Sequence, residues 1–204
     1  MSLPVPYVVP LFETFGPPVS EFCVEVTRKG PRIAYTFPTP ADRDEYGNLW
    51  GRAYENRDVP NVSFESMHPD RQRQCMRDML CQVCAKPADK NAEGWLFLDW
   101  PRDDSPKRWP ERSVTAMPPL CVPCAETSLT HCPHLRQDGT VVLRVRKPLL
   151  CGVSGSVWQI NTHGEWEEIS NRDIYAPFSK PRLPGLIATR LYRMLLGVTV
   201  TDRP

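Results

Sequence analysis

Apolar and polar residues alternate with a period of two over Phe22–Thr27 and again over Ile33–Phe37, and Lys29-Gly30-Pro31 stands between the runs. That pattern predicts a β-hairpin. Cys23 falls inside its first strand, where a free cysteine is expected as a buried small hydrophobe. Ahead of the hairpin, residues 1–20 are apolar and punctuated by proline, which predicts a stiff extended arm. Val8, Val9, Leu11, Phe12 and Phe15 are too apolar to remain solvated, so the arm should dock on this chain or on a partner. A polar loop over residues 40–48 leads into a short strand at Leu49-Trp50.

The period changes at Ser66. Ser66 or His68 as N-cap, Pro69 in the first turn and Asp70 at the positive end predict a helix to about Leu80. Met76, Met79 and Leu80 would face inward, with Arg71, Arg73 and Arg77 flanking them. An apolar strand follows at Gly94–Trp100, then a polar loop over 101–112 that carries Trp109. Ala125–Cys132 is helix-like and stops at Pro133. From Gly139 the pattern returns to β: Val141, Leu143 and Val145 alternate with Val142, Arg144 and Arg146. Val157–Ile160 and Trp166–Ile169 flank Asn161–Gly164 as a second hairpin. Residues 184–196 carry Ile187, Leu191, Met194 and Leu195 on one helical stripe, with Arg190 and Arg193 off it, which predicts an amphipathic C-terminal helix.

The hydrophobic fraction of 41% and charged fraction of 24% over 204 residues are those of a globular protein. The 23 prolines against 11 glycines favour short elements and ordered loops. A formal charge of +1 lacks the strong basicity of a dedicated nucleic-acid binder. No apolar run approaches the ~18 residues of a membrane helix, and Pro4, Pro6 and Pro10 break the apolar start that a signal peptide would need. The expected compartment is therefore a reducing cytoplasm, with thiols held on metal and not in disulfides.

The sharpest chemical signal is a pair of knuckles, Cys81-Gln-Val-Cys84 and Cys121-Val-Pro-Cys124, separated by 36 residues. Each sets two sulfurs on one tight turn, and two such turns brought together make a tetrahedral S₄ cage for one Zn²⁺. Two separate thiol pairs, or a redox dithiol on one knuckle, are the alternatives. Four thiolates fill every tetrahedral position, so the expected metal is structural and non-catalytic. With four thiolates and one Zn²⁺ the formal charge would fall from +1 to −1. His131-Cys132-Pro133-His134 could add a second site or a substitute ligand, although two histidines and one cysteine fall short of a full set.

A knuckle, an intervening strand and loop, and a second knuckle opening a helix resemble a zinc-bearing treble clef. Over residues 75–135 the layout is similar to the HNH-type nuclease module. In that family the intervening strand carries an acidic residue followed by the histidine that serves as general base, and the helix adds an Asn and a metal-binding His. Here Asp99-Trp100 stands in place of the acidic-His pair, Ala125 in place of the Asn, and His131 or His134 answers for the last His. No histidine occurs from residue 85 to 120, and Trp100 cannot take a proton from water. If the resemblance extended to activity, Asp99, His131 and His134 would be its catalytic residues.

The expectation is an α+β protein, integrated as one domain. It has an arm and hairpin region over 1–65, a zinc module over 66–136, and a β-hairpin region with the C-terminal helix over 137–204. The expected function is that of a non-enzymatic zinc-binding adaptor for a protein or a nucleic acid, without membrane association. A divergent metal-dependent endonuclease is the alternative. Residues 174–201 contain four cations and no acid, so Arg144, Arg146, Arg190 and Arg193 are the candidate partner surface.

Overall fold

A computed structural model describes residues 5–102, 105–137, 139–169 and 173–204; the first residues of the arm and part of the 101–112 loop lie outside them. Along the first part of the chain run strands β1 (Phe12–Phe15), β2 (Phe22–Thr27), β3 (Gly30–Tyr35), β4 (Leu49–Trp50) and β5 (Tyr54–Pro60). Helix α1 (Pro69–Asp78) is followed by β6 (Lys90–Asn91), β7 (Gly94–Asp99) and β8 (Val114–Thr115), then by α2 (Val122–His131) and α3 (Pro133–Gln137). The remainder is β9 (Val141–Ile160), β10 (Trp166–Glu168), β11 (Ile174–Pro177) and β12 (Leu186–Thr201). None of these helices is long and apolar enough to cross a membrane.

The chain divides into two compact units, each assembled from separate pieces of sequence. The first comprises Met1–Val9, Asp70–Cys151 and Tyr192–Pro204, and the second Pro10–Pro69 and Gly152–Leu191. The segment expected as the zinc module therefore falls, from Asp70 onward, in the first unit. Both long strands, β9 and β12, contribute residues to each unit.

In the second unit the predicted hairpin is present, with β2 and β3 antiparallel from Phe22↔Tyr35 to Thr27↔Gly30. The chain turns at Arg28-Lys29, and Gly30 takes a φ of +108°, open to glycine at little cost. Cys23 is half-buried, more exposed than its strand position predicts. Phe22, Ile33, Tyr35, Leu49 and Ile187 form the core, with Trp158 and Trp166 packed against it. Tyr35 also anchors a polar cluster: its hydroxyl donates to the Trp50 carbonyl, and the Arg52 guanidinium lies 4.0 Å over its ring. Arg52 in turn pairs with Asp42 at 2.8 Å and Glu21 at 3.1 Å. The second hairpin also forms, β10 pairing with the end of β9, where Asn161 Oδ1 accepts the amides of His163 and Glu165.

In the first unit β7 pairs antiparallel with β9 from Trp95↔Val145 to Asp99↔Val141. β6 pairs with β7, and β8 pairs with β12 at Arg193↔Thr115. One apolar cluster joins Phe97, Leu143, Val145 and Leu195. A second joins Leu96, Leu98, Leu120, Ala125 and Val142 to the buried Cys81. Helix α1 is shorter than the sequence predicts. Met79 takes a positive φ of 54°, which ends the helix before Leu80 and turns the chain toward the first knuckle. Its buried face is Gln72, Cys75 and Met76, and the Gln72 amide donates to the Ala116 carbonyl at 2.8 Å. Burial pushes the Cys75 thiol up to about 12, as suits an inert core sulfur.

The amphipathic C-terminal helix is a misreading. Residues 186–201 form strand β12. Leu191, Arg193 and Leu195 are buried while the residues between them are half-buried, a period of two that the four-residue spacing of the apolar side chains conceals. The misleading residue is Arg193. The helical stripe places it outward, whereas in the structure it is 7% exposed, and its guanidinium donates to the carbonyls of Met76 and Pro148. Val198-Thr199-Val200-Thr201 adds a β-branched run that belongs in a strand.

Candidate metal centre

The first knuckle follows directly from the end of α1. An isolated bridge pairs Leu80 with Pro87, the Cys81 amide donates to the Lys86 carbonyl at 2.7 Å, and the Ala85 amide donates back to the Cys81 carbonyl at 2.9 Å. Ala85 closes the turn with a φ of 56°. The arm secures the outer side of this turn: Tyr7 and Val8 donate their amides to the carbonyls of Val83 and Gln82 at 3.0 and 3.1 Å. Val8 and Val9 are buried, so this part of the arm docks on its own chain, whereas Leu11 is 43% exposed.

The second knuckle is the entry to α2. Cys121 is the N-cap residue, with φ −88° and ψ 157°, and a proline occupies the first helical turn. Cys124 therefore stands on the first turn of that helix, facing the first knuckle. Backbone bonds tie the two knuckles together, because the Gln82 amide donates to the Pro119 carbonyl at 3.1 Å. The intervening β7 completes the link, with the Leu120 amide on the Leu96 carbonyl and the Leu96 amide on the Asp89 carbonyl, both at 3.0 Å.

These contacts bring the sulfurs of Cys81, Cys84, Cys121 and Cys124 within 4.8 Å of one another. The Cys84 and Cys121 sulfurs are 3.8 Å apart. A tetrahedral S₄ site with metal–sulfur bonds of about 2.3 Å separates its sulfurs by about 3.8 Å, the length of the Cys84–Cys121 edge. All four cysteines are free thiols. Cys81 is fully buried and the other three are half-buried, packed against Leu96, Leu98, Leu120 and Ala125.

Acidity is distributed unevenly over the four. Burial raises the Cys81 thiol. At Cys124 burial, then the hydrogen bond shared with Cys121, pushes the pKa well above the ordinary thiol range. Burial also opposes ionisation of Cys84, but the Lys86 amide and the neighbouring thiols outweigh it, and Cys84 is the member whose pKa is lowered. Cys84 thus gives up its proton more readily than Cys81 or Cys124. A divalent cation at the centre of the four replaces sulfur–sulfur repulsion with four attractive bonds and draws off the remaining protons.

The other sequence-predicted residues do not join this cluster. Among the described residues, His131, Cys132 and His134 form no metal-binding group. His131 ends α2 and His134 lies on α3, its ring edge-on to Trp100 at 5.1 Å. Asp99 is wholly buried in β7 and pairs with Arg102 at 3.0 Å; burial raises its pKa. Of the expected partner surface, Arg144 is 5% exposed and paired with Asp89, and Arg193 is buried on backbone carbonyls, so neither faces a partner. Arg146 is exposed, and Arg190 is half-exposed at 4.0 Å from Asp173. The packing residues Leu120 and Gln72, and the backbone bonds from Tyr7 and Val8, escaped the sequence reading. Only the apolarity of the arm hinted at the last of these.

Comparison with protein-family models, with curated proteins and with solved structures gives no match to this chain.

Proposed function

We propose that Cys81, Cys84, Cys121 and Cys124 hold one Zn²⁺ as a structural clip, and that the chain is a non-enzymatic adaptor recognising a protein or a nucleic acid. The observation that carries this reading is the set of four sulfurs within 4.8 Å of one another, enough to fill a tetrahedral shell without water. Cysteine-only tetrahedral cages suit zinc or iron; the clip role follows from the closed shell, since a zinc that activates water needs an open position. The order of knuckle, β6–β7 hairpin and helix N-terminus supports a treble-clef reading of residues 75–135. Nothing in the geometry favours the nuclease alternative: Asp99 is buried against Arg102, and His131 and His134 are exposed on separate helices.

Elemental analysis of protein purified without chelator tests the reading. The expected result is about one zinc per chain, retained on dialysis. Folded protein without metal would overturn it. Plasmid nicking in Mg²⁺ that disappears in a His131→Ala/His134→Ala variant would replace the adaptor reading with the nuclease one.

A further inference from the structure

A groove of about 500 Å³ in the second unit carries an unusual charge. Its lining includes Lys29, Arg32, Arg43, Lys180 and Arg182, and among the described residues no Asp or Glu lines it. Glu25 reaches into this set from the side, accepting two bonds from Arg32 at 2.8 and 2.9 Å and one from Arg43 at 3.3 Å. Its carboxyl is held below the usual carboxylate range, chiefly by the Arg32 hydrogen bond. One carboxylate against five cations leaves a surplus of positive charge, and neither Lys29, Lys180 nor Arg182 has an ion-pair partner among the described residues.

The cations are placed, not scattered. Arg43 is fixed by bonds to the Gly47 and Ile33 carbonyls at 3.2 and 2.6 Å. Arg182 lies against Gly47, its Nη1 2.2 Å from where a Cβ would stand, and Gly47 itself takes a φ of +78°. Burial, then repulsion from Arg32 and later from Arg182, holds the Arg43 guanidinium below its ordinary pKa despite Glu25. Three guanidiniums thus line one groove, two of them sharing the Glu25 carboxylate. Beside them Tyr46 and Phe178 stack at 4.0 Å and 17°, with Tyr46 36% exposed. Clustered guanidiniums suit phosphate oxygens, and an exposed Tyr46 ring backed by the half-buried Phe178 suits the face of a base. The volume lies within the range of small-molecule sites.

We propose that this groove binds a nucleotide, with its phosphate on Arg182, Lys180 and Lys29 and its base on the Tyr46–Phe178 pair. The nucleotide is either a free one or a unit of single-stranded nucleic acid, since both present the same phosphate and base. The groove's lining residues belong to the second unit and the four cysteines to the first, so the proposal does not depend on the zinc assignment.

Titration of the full chain with ATP, with a labelled oligothymidylate and with adenosine tests the proposal by calorimetry or fluorescence anisotropy. A phosphorylated ligand is expected to bind while adenosine does not. Affinity should fall between about 50 and about 200 mM salt, and Arg182→Gln should reduce the slope of that dependence by about one. Lys180→Glu with Arg182→Glu should weaken binding at least about tenfold with an unchanged melting temperature, because both side chains are exposed. Tyr46→Ala should weaken the same ligand without altering the salt slope. Tighter binding of the oligonucleotide identifies a strand, and binding of ATP alone identifies a free nucleotide; either sustains the site. Absence of binding by both, adenosine bound as well as ATP, or affinity untouched in the folded double variant would overturn it. Zinc content measured in the same samples separates this outcome from that of the metal-centre reading.

Discussion

Cys121 and Cys124 differ from ordinary core cysteines in what surrounds them. One caps a helix and the other sits on its first turn, and both bring their sulfurs within 4.8 Å of the first knuckle's. Losing any one of the four sulfurs leaves three thiols and an open position. Cys81→Ser or Cys121→Ser is therefore expected to abolish tight zinc binding and to lower stability by several kcal/mol. Zinc in comparable peptides binds by about 10–16 kcal/mol, as much as a whole domain's stability. Cys132→Ser, outside the cluster, should keep full metal content by elemental analysis and melt within a few degrees of the parent. Asp99 makes the opposite kind of prediction. Burial raises its pKa above the ordinary carboxylate range, so the ionised carboxylate costs more in the folded chain than in the unfolded one. That cost is absent below the unfolded pKa and grows as pH rises through the folded one. Asp99→Asn should gain stability relative to the parent as pH rises from 3 to 7, read from denaturation midpoints; a constant difference across that range would sink the idea.

At the scale of elements, the two knuckles were legible because their chemistry is local: four residues of sequence make one turn, whatever the rest of the chain does. The hairpins were legible for the same reason, since Thr27 and Gly30 or Ile160 and Trp166 are near neighbours along the chain. Strand β12 was not. Its partners are residues far away in sequence, and its apolar spacing fits two periods at once until Arg193 is known to point inward. Gln72 hid in the same way, a polar residue on a buried face whose acceptor is 44 residues distant. Arg193 gives the element-scale test. On an exposed helix face its removal would change stability by no more than about 0.5 kcal/mol. In the strand it removes a buried guanidinium's bonds to the Met76 and Pro148 carbonyls, so Arg193→Ala should cost about 2 kcal/mol or more in urea denaturation. Gly94 offers a second test. It has a φ of 127°, and a Cβ there would stand 2.3 Å from the Val145 carbonyl, so Gly94→Ala should destabilise the β6–β7 hairpin by about 1–3 kcal/mol.

At the scale of the whole molecule, the metal centre and the cationic groove belong to different units, which makes their contributions separable. Chelation should raise hydrogen exchange first in α2, β6 and β7, whose backbone is tied to the knuckles. The amides that pair β2 with β3 should keep their protection longer, because their core of Phe22, Ile33 and Tyr35 contains no metal ligand. Simultaneous loss of protection in both regions would contradict the division into units.

The interleaving of the units also sets an order in time. All four cysteines are synthesised well before Tyr192–Pro204, the last piece of the first unit. Translation proceeds at about 5–20 residues per second, so the roughly 70 residues between Cys124 and Tyr192 take on the order of 4–14 s. During that interval β7 and the early part of β9 exist without the strand that completes their sheet. A zinc ion captured on the nascent chain would keep the two knuckles and their hairpin in register until β12 arrives. On the growing polypeptide such a clip would act as scaffolding, put in place before the wall it supports.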